Sequence, residues 1–451
     1  MLTSLFADIP HKVADINLEK IGRDEIGWVE KEMPGLLKLR EKYKNTRPLQ
    51  GMRISGSLHI TTHTAVFIET LYDLGAEVRW SASNIYSTED SAAAAIAAKG
   101  IPIFAWKGES LTDYWWTIFQ TLHFENSQGP THIIDDKGDV ALMIHKGLEG
   151  EINSKILDEE KDSLGETELN LFLKSVLAND QNFWTKHCKC LKTITEDSRT
   201  GTYRMVDLEK NNKLKFPIID ISSSTIKTKI DNYYSSKESL VETIKRAART
   251  IIIGKSIVIC GFGDIGRGCA DAMRANGANV YITETDPIRA LKAAMMGYKV
   301  VTLNEICKYA DIFITATGQK HIIRFHHMEQ MKDQAIICNM GHFELEIEYD
   351  RLIKDPEIKK IAISPQLNRY FLPNGHSILL IAESKLINLT YDTTQLAFIK
   401  SCSYTVQTLV QMSLLDKDLP VKIHRIDKSI DKKVAEMHLD KIKVNLTYKE
   451  S

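Results

Sequence analysis

The chain has 451 residues, which is too long for one small hydrophobic core and predicts two or three domains. Its 58 basic and 59 acidic residues give a net charge of -1, so no basic surface for nucleic acid or an acidic membrane is expected. We therefore expect a small-molecule ligand or a protein partner, with no nucleic-acid partner and no membrane partner.

The N-terminal segment lacks the long apolar stretch of a signal peptide, because acidic residues occur early, at Asp8 and Asp15. No run of about eighteen apolar residues occurs, which disfavours a membrane span. The seven cysteines are scattered, as in proteins of a reducing compartment. Together these features predict a cytoplasmic location.

One short segment, His187-Cys188-Lys189-Cys190, clusters residue types that bind metals. It has no second pair of ligands at zinc spacing, so we predict no metal site. We interpret the segment as an exposed helix end.

Between residues 50 and 135, short apolar strands alternate with helical stretches. Strands are predicted in MRISGSLHI, EVRWSASN and PIFAWKG, and helices in TAVFIETLYDLGA and SAAAAIAAKGI. Such alternation is typical of parallel βαβ units. The charged segment at 147–192 has helical periodicity in ELNLFLKSVLA, and we interpret it as a helical insertion at the surface rather than part of the core.

A long helix over KESLVETIKRAARTIII leads into a second region of βα alternation, from about 255 to 390, and the remainder of the chain is predicted to be helical. The fold class predicted from both regions is α/β. It has two doubly wound parallel-sheet domains joined by hinge helices.

A glycine-rich turn follows the first strand of the second region. The apolar strand SIVIC runs directly into Gly261, Gly263 and Gly266, and then into a helix. In this context Gly261 permits a tight turn, Gly263 lets the backbone approach a pyrophosphate, and Gly266 permits close packing of helix on strand. Glu284 ends the next strand, where a carboxylate accepts hydrogen bonds from ribose hydroxyls and repels a 2′-phosphate. The pattern predicts a Rossmann domain that binds NAD rather than NADP.

Strings along nearly the whole chain resemble the S-adenosylhomocysteine hydrolase (adenosylhomocysteinase) family. They are EMPGL at 32–36, TAVFIETLYDLGAEVRW at 64–80, AAAAIAAKGIP at 92–102, AWKGE at 105–109, CGFGDIGRGCA at 260–270, ITETDPIRAL at 282–291, NMGHFELEI at 339–347 and AEMHLDKIKVNLT at 435–447. The resemblance implies a substrate-binding domain at 1–235, a Rossmann NAD-binding domain at 236–393, and C-terminal helices at 394–451 that return to the substrate domain.

The resemblance also implies an activity. Family members reversibly hydrolyse S-adenosyl-L-homocysteine to adenosine and homocysteine, as part of the methyl cycle of one-carbon metabolism. Bound NAD oxidises the 3′ carbon, the thiol is eliminated, water adds, and the 3′ carbon is reduced again. The implied partners are a nucleoside thioether substrate and further copies of the chain, as a tetramer or dimer.

Three sets of site residues are carried over by resemblance. The catalytic set, which moves protons, is His59, Asp136, Lys227, Asp231 and His342. The substrate-binding set is Thr61, His63, Asp197 and Gln395. The cofactor-binding set is Thr200, Asn232, Gly261, Gly263, Asp264, Ile265, Gly266, Glu284, Arg289 and Asn388.

Several of these positions depart from the family pattern. His63 and Gln395 stand where the family has an acid and a histidine that recognise adenine, and Asp197 is shorter than the family's glutamate. Arg289 replaces an asparagine near the cofactor ribose. The sequence ends at YKES, so we expect the family's C-terminal contact with the neighbouring subunit's NAD to be absent.

These departures leave three interpretations open. The chain is an active adenosylhomocysteinase. Alternatively, it is a catalytically impaired regulatory paralogue that binds NAD or nucleoside and assembles with an active relative. In the third interpretation it acts on a nucleoside thioether with a different base.

Overall fold

The computed structural model describes residues 5–6, 9–159, 164–341, 346–387, 396–415 and 417–447. The chain divides into two units. The first unit contains Met1–Lys227 and Lys400–Ser451, and the second contains Thr228–Ile399. The sequence-derived domain boundaries and the roles given to those domains stay predictions.

An eight-stranded sheet lies at the centre of the first unit, with the strand order β1-β4-β3-β2-β5-β6-β7-β16. Its strands are β1 (Lys12–Val13), β2 (Arg53–Ser57), β3 (Glu77–Ser81), β4 (Ile103–Ala105), β5 (His132–Asp135), β6 (Thr193–Glu196), β7 (Ile218–Asp220) and β16 (Ile423–Arg425). Every pairing is parallel. All residues of β4, β5 and β6 are buried, as expected of central parallel strands covered by helices on both faces.

Most helices of this unit lie between its strands in the sequence. They are α1 (Glu19–Glu30), α2 (Pro34–Tyr43), α3 (Thr62–Asp73), α4 (Asp90–Ala98), α5 (Leu111–Thr121), α6 (Asp139–Ile152), α7 (Leu164–Asn179), α8 (Phe183–His187), α9 (Arg199–Lys210), most of α16 (Ala397–Leu414), and α17 (Lys428–Leu439). The predicted βα alternation between residues 50 and 135 is confirmed, because β2, α3, β3, α4 and β4 follow one another in that order.

The segment at 147–192 is not peripheral to the core, so its interpretation as a surface insertion is wrong. In α7, Leu169, Phe172, Leu173 and Val176 are buried in the same hydrophobic cluster as the apolar side chains of α5 and α6. These four side chains follow the i, i+3, i+4, i+7 pattern of one helical face. That apolar stripe determines the packing of α7, whereas the charged residues before it do not.

The interpretation of the His187–Cys190 segment as an exposed helix end is also wrong for its first two residues. The His187 ring stacks on Phe183 with the ring centroids 3.9 Å apart, and Cys188 is buried, whereas Cys190 is exposed. Within the described ranges, no group of three or more His, Cys, Asp or Glu side chains is arranged to hold a metal ion.

The second unit contains another eight-stranded sheet, with the order β10-β9-β8-β11-β12-β15-β14-β13. Its strands are β8 (Ser256–Cys260), β9 (Asn279–Thr283), β10 (Lys299–Val300), β11 (Ile312–Thr315), β12 (Ala335–Asn339), β13 (Lys359–Ser364), β14 (Leu367–Phe371) and β15 (Ser377–Ile381). Its helices are α10 (Tyr233–Ala248), α11 (Asp264–Ala275), α12 (Pro287–Met295), α13 (Leu303–Ile306), α14 (Phe325–Met328) and α15 (Tyr349–Lys354).

Three local predictions need correction. The βα alternation stops before residue 390, because β13, β14 and β15 form antiparallel pairs, with a turn at Gly375 (φ +86°) between the last two. Helix α10 ends at Ala248 rather than continuing through the isoleucines, because Arg249 is left-handed with φ 47°. The segment after 393 is not purely helical, since β16 pairs with the otherwise open edge of β7. The α/β class with two mostly parallel sheets is confirmed.

No helix in the described part of the chain is both long enough and apolar enough to cross a membrane.

Glu109, between β4 and α5, gives the first unit a pH-dependent stability. Burial raises the pKa of its carboxyl to about 8, although the Trp106 amide donates to it. Between about pH 4.5 and 8 the folded chain therefore holds a proton that the unfolded chain releases, so the free energy of unfolding falls as the pH rises. We expect Glu109→Gln to make this fall shallower.

Urea unfolding followed by tryptophan fluorescence measures this effect in the first unit, because all 6 tryptophans of the chain lie between residues 28 and 184. Glu77→Gln, a change at an exposed glutamate, is the matched control. Equal pH slopes for wild type and Glu109→Gln would contradict the prediction.

Candidate functional site

The candidate residues of the first unit follow the carboxyl ends of adjacent strands. His59 comes shortly after β2, Asp136 directly after β5, and Asp197 directly after β6. Because β2, β5 and β6 are neighbours in a parallel sheet, these ends meet at one edge. This is the edge where open α/β sheets place their ligand sites.

His59 and Asp136 lie together at that edge. The distance from His59 Nε2 to Asp136 Oδ2 is 3.4 Å, and the two side chains are 20% and 9% exposed. Ser83 Oγ links them, since it donates to Asp136 Oδ2 at 3.0 Å and lies 3.1 Å from His59 Nδ1. Ser87 Oγ lies 2.7 Å from the same ring nitrogen. Neither serine was among the site residues predicted from the sequence.

Lys227 pairs with Asp197 in the same unit. The Nζ–Oδ2 distance is 2.5 Å, and both side chains are largely buried, at 12% and 14% exposure. The other Asp197 oxygen lies 3.4 Å from the side-chain nitrogen of Gln407 on α16. The shorter acid at position 197 therefore still reaches the lysine. A lysine and a carboxylate in such contact can share and transfer a proton.

Lys227 lies in a π-helical segment, Ile226–Asn232, whose start is held by a carboxylate from α17. Asp431 accepts hydrogen bonds from the Ser224 hydroxyl at 2.5 Å, the Thr225 amide at 2.8 Å and the Ile226 amide at 3.4 Å. Short π-helical segments are common at functional sites. The contact lies more than two hundred residues away in sequence, and no local motif signals it.

Two further buried acids, Asp135 and Glu196, lie beside the candidate ones. They are partners in the register of β5 and β6, and each immediately precedes a candidate residue. Burial raises the pKa of Asp135 to about 8, and burial followed by the charge of Asp135 raises the pKa of Glu196 well above its ordinary value. The two carboxyls therefore do not both ionise near neutral pH.

These acids hold the loops that carry the site. Asp135 accepts from the amides of Val140 and Ala141, at 3.3 and 2.8 Å, at the start of α6. Glu196 accepts from the amides of Lys137 and Ser198, at 3.1 and 2.8 Å. In the sequence, each of these acids is the first of two consecutive acidic residues at a strand end, DD and ED. Successive side chains of a strand point in opposite directions, so only one acid of each pair can face the candidate site.

The remaining candidates of this unit lie at helix starts. Thr61 caps α3 and accepts from the Thr64 amide at 3.3 Å, and His63 is buried in the first turn of that helix. Thr200 is half-buried in the first turn of α9. No described contact assigns a chemical role to these three side chains.

The second unit provides a glycine turn between β8 and α11. Gly261 has φ +100°, which favours glycine, and a Cβ on Gly266 would lie 1.9 Å from the Gly261 carbonyl oxygen. A Cβ on Gly263 would have only Arg289 Nη1 within 4 Å, at 3.9 Å. The turn is thus closed where helix packs on strand and open at Gly263, which fits the approach of a dinucleotide pyrophosphate to the backbone.

Glu284 directly follows β9 and contacts this turn. Its carboxylate accepts from the amides of Phe262 at 2.7 Å, Thr285 at 2.8 Å and Asp286 at 3.0 Å. The acid is therefore fixed beside the glycines, where it could also accept from ribose hydroxyls.

The other candidates of this unit are placed around the starts of α10 and α11. Asp264 pairs with Lys229, and the Ile265 carbonyl accepts from the Ser236 hydroxyl at 3.3 Å. Asp231 is 2% exposed and accepts from the Ser235 hydroxyl at 2.8 Å. The Asn232 carbonyl accepts from Ser236 at 2.6 Å. His342, Asn388 and Gln395 lie outside the described residues.

The geometry defines a two-unit α/β protein with a Rossmann-type glycine turn in one unit and, in the other, the contacts His59–Asp136 and Lys227–Asp197. A family model described as S-adenosyl-L-homocysteine hydrolase matches residues 10–450. The chain therefore belongs to the S-adenosyl-L-homocysteine hydrolase family.

Two solved structures, both of dipicolinate synthase, show distant similarity. The protein from Bacillus halodurans is 11% identical, with a TM-score of 0.43, over 82% of this chain and 99% of that one. The protein from Bacillus subtilis is 13% identical, with a TM-score of 0.43, over 81% of this chain and 98% of that one.

The hydrogen bonds to Asp431 allow a test of how the Lys227 segment is held. Asp431→Ala leaves the Ser224 hydroxyl and the amides after it without this acceptor, so we expect a loss of about 1–3 kcal/mol in the free energy of unfolding. Lys432→Ala, at an exposed position of the same helix, should change it by less than about 0.5 kcal/mol. Urea unfolding by tryptophan fluorescence measures both, and equal values for the two variants would refute the assignment.

Proposed function

We propose that the protein reversibly hydrolyses S-adenosyl-L-homocysteine to adenosine and homocysteine, with NAD as its cofactor. The observation that carries this proposal is the buried Lys227–Asp197 pair at the sheet edge, beside which His59 and Asp136 form a second proton-transfer pair. Membership of the family supports the same activity.

NAD, when bound, would supply the oxidation of the substrate's 3′ carbon and its later reduction. The residues proposed to hold it are those of the glycine turn, with Glu284 accepting from the adenosine ribose. Asn232, at the start of α10, is proposed to contact the cofactor, and Asp231, which precedes it, is proposed as a member of the catalytic set.

In the proposed reaction, Lys227 accepts the proton of the substrate's 3′ hydroxyl, and Asp197 orients both the lysine and the ribose hydroxyls. His59 accepts and returns the protons that move when the thiol leaves and water adds, while Asp136 stabilises its protonated ring.

The first test is release of adenosine and homocysteine from S-adenosylhomocysteine by the purified chain with added NAD⁺. We expect the wild-type chain to release many molecules of each product per chain. For Lys227→Ala we expect kcat to fall by at least about 10²-fold, because the group that takes the 3′ proton is gone. Lys210→Ala, at the end of α9, is the matched control and should keep the wild-type rate. Undiminished turnover by Lys227→Ala would remove its proposed role.

A second candidate function follows from Arg289. Its guanidinium lies near the open side of Gly263, where a pyrophosphate would approach, and the substitutions His63 and Gln395 affect the proposed adenine site. We propose as the alternative a catalytically impaired regulatory paralogue that binds NAD or nucleoside and assembles with an active relative. Absence of product from folded protein, together with a mixed oligomer, would favour this alternative.

Cofactor binding has its own test in the glycine turn. Gly263→Ala adds a methyl group into open space, so we expect the wild-type melting temperature but NAD⁺ affinity reduced by about tenfold or more, a change of about 1.4 kcal/mol. Gly266→Ala should instead lower the melting temperature, since its Cβ would overlap the Gly261 carbonyl. Isothermal titration with NAD⁺ and thermal melting separate the two effects. Unchanged affinity in Gly263→Ala would argue against a pyrophosphate at this turn.

A further inference from the structure

The protonation of His59 is determined by which neighbours can accept its N–H. Two hydroxyl oxygens lie beside Nδ1, Ser87 Oγ at 2.7 Å and Ser83 Oγ at 3.1 Å. On the other side of the ring, Nε2 lies 3.4 Å from Asp136 Oδ2. The two distances at Nδ1 fall within the usual range for an N–H···O hydrogen bond, whereas the distance at Nε2 exceeds it.

Each serine hydroxyl has a second partner that accepts its proton. Ser83 donates its proton to the Asp136 carboxylate at 3.0 Å, which as an ionised group can only accept. Ser87 donates to the Asn84 carbonyl at 3.1 Å. Each hydroxyl has a single proton, so a hydroxyl that donates to this second partner presents its oxygen to His59 as an acceptor.

We propose that Ser83 and Ser87 are positioning residues that fix neutral His59 in the tautomer with its proton on Nδ1. The Nε2 lone pair then faces Asp136 and is the atom of the ring that takes up a proton. Protonation there places the new N–H beside the carboxylate and forms the ion pair. In the opposite tautomer, Nε2 already carries its proton and the ring cannot accept another at that atom.

This inference rests on the proposed function, in which His59 transfers protons. It adds to that function by specifying the nitrogen of His59 that exchanges them. Ser83 contacts both members of the pair, so it also sets the orientation of Asp136 relative to the ring. Neither serine needs to touch the substrate for this effect.

The test is nuclear magnetic resonance of the full chain labelled with ¹⁵N-histidine, at a pH where His59 is neutral. The His59 signals are assigned by their loss in His59→Gln. We expect a protonated Nδ1 and an unprotonated Nε2 in the wild-type chain. A wild-type ring protonated on Nε2 overturns the proposal, whatever the variants show.

The serine variants test whether Ser83 and Ser87 determine the tautomer of His59. In Ser83→Ala/Ser87→Ala we expect the Nε2-protonated form, in which the ring donates to Asp136, to rise from the minor to the major population. Ser83→Thr keeps a hydroxyl and should keep the wild-type tautomer. Ser57→Ala, which removes a buried hydroxyl that donates to the Ala82 carbonyl, is the matched control.

A double variant with the same tautomer as Ser57→Ala would show that the serines do not set it. The spectra report the tautomer even in a chain that turns over no substrate, so failure of the proposed function and failure of this inference are distinguishable. If the double variant does not fold, the wild-type spectrum and the Ser83→Thr spectrum still decide the tautomer assignment.

Discussion

Hydrogen bonds between buried carboxyls and backbone amides hold the candidate site of the first unit in place. Asp135 accepts from amides at the start of α6, and Glu196 accepts from amides in the loops after β5 and β6. Since both acids lie at the carboxyl ends of adjacent strands, they fix the residue that follows each strand, Asp136 and Asp197. Burying these carboxyls without hydrogen-bond donors would carry a large cost in free energy. Burial raises the pKa of both carboxyls, and their hydrogen bonds offset only part of this rise.

The two units position their candidate residues in different ways. The first relies on side-chain contacts between residues distant in sequence, such as Asp431 with the segment before Lys227 and Ser83 with Asp136. The second relies on backbone conformation, because Gly261 requires a positive φ and Gly266 leaves no room for a Cβ. A glycine turn built from backbone conformation needs few specific side chains, which is why its pattern can be recognised from the glycines alone.

This difference explains which parts of the structure the sequence could predict. The glycine turn and the βα order of both units follow from local patterns, and the structure confirms that order up to β13. The prediction that the 147–192 segment is a surface insertion is wrong, because the apolar stripe of α7, and not the many charges of the segment, determines how it packs. The serines beside His59 could not be identified, since a serine in a loop carries no periodic signal and its partners come from other strands.

The acid at position 197 contacts Lys227 although it is shorter than the glutamate expected from the family resemblance. Aspartate is one methylene shorter than glutamate, so at an unchanged backbone position it would withdraw from the lysine. In this structure the Asp197 amide donates to the Asp135 carbonyl at 2.9 Å, and Lys227 nevertheless reaches the carboxylate at 2.5 Å from a segment held by Asp431. The long lysine side chain accommodates the shorter acid because both backbones are fixed by other contacts. In the proposed adenine site His63 differs in kind, since a histidine in place of the expected acid would change which groups of a base it pairs with, and no adjustment of a flexible side chain restores a lost acceptor.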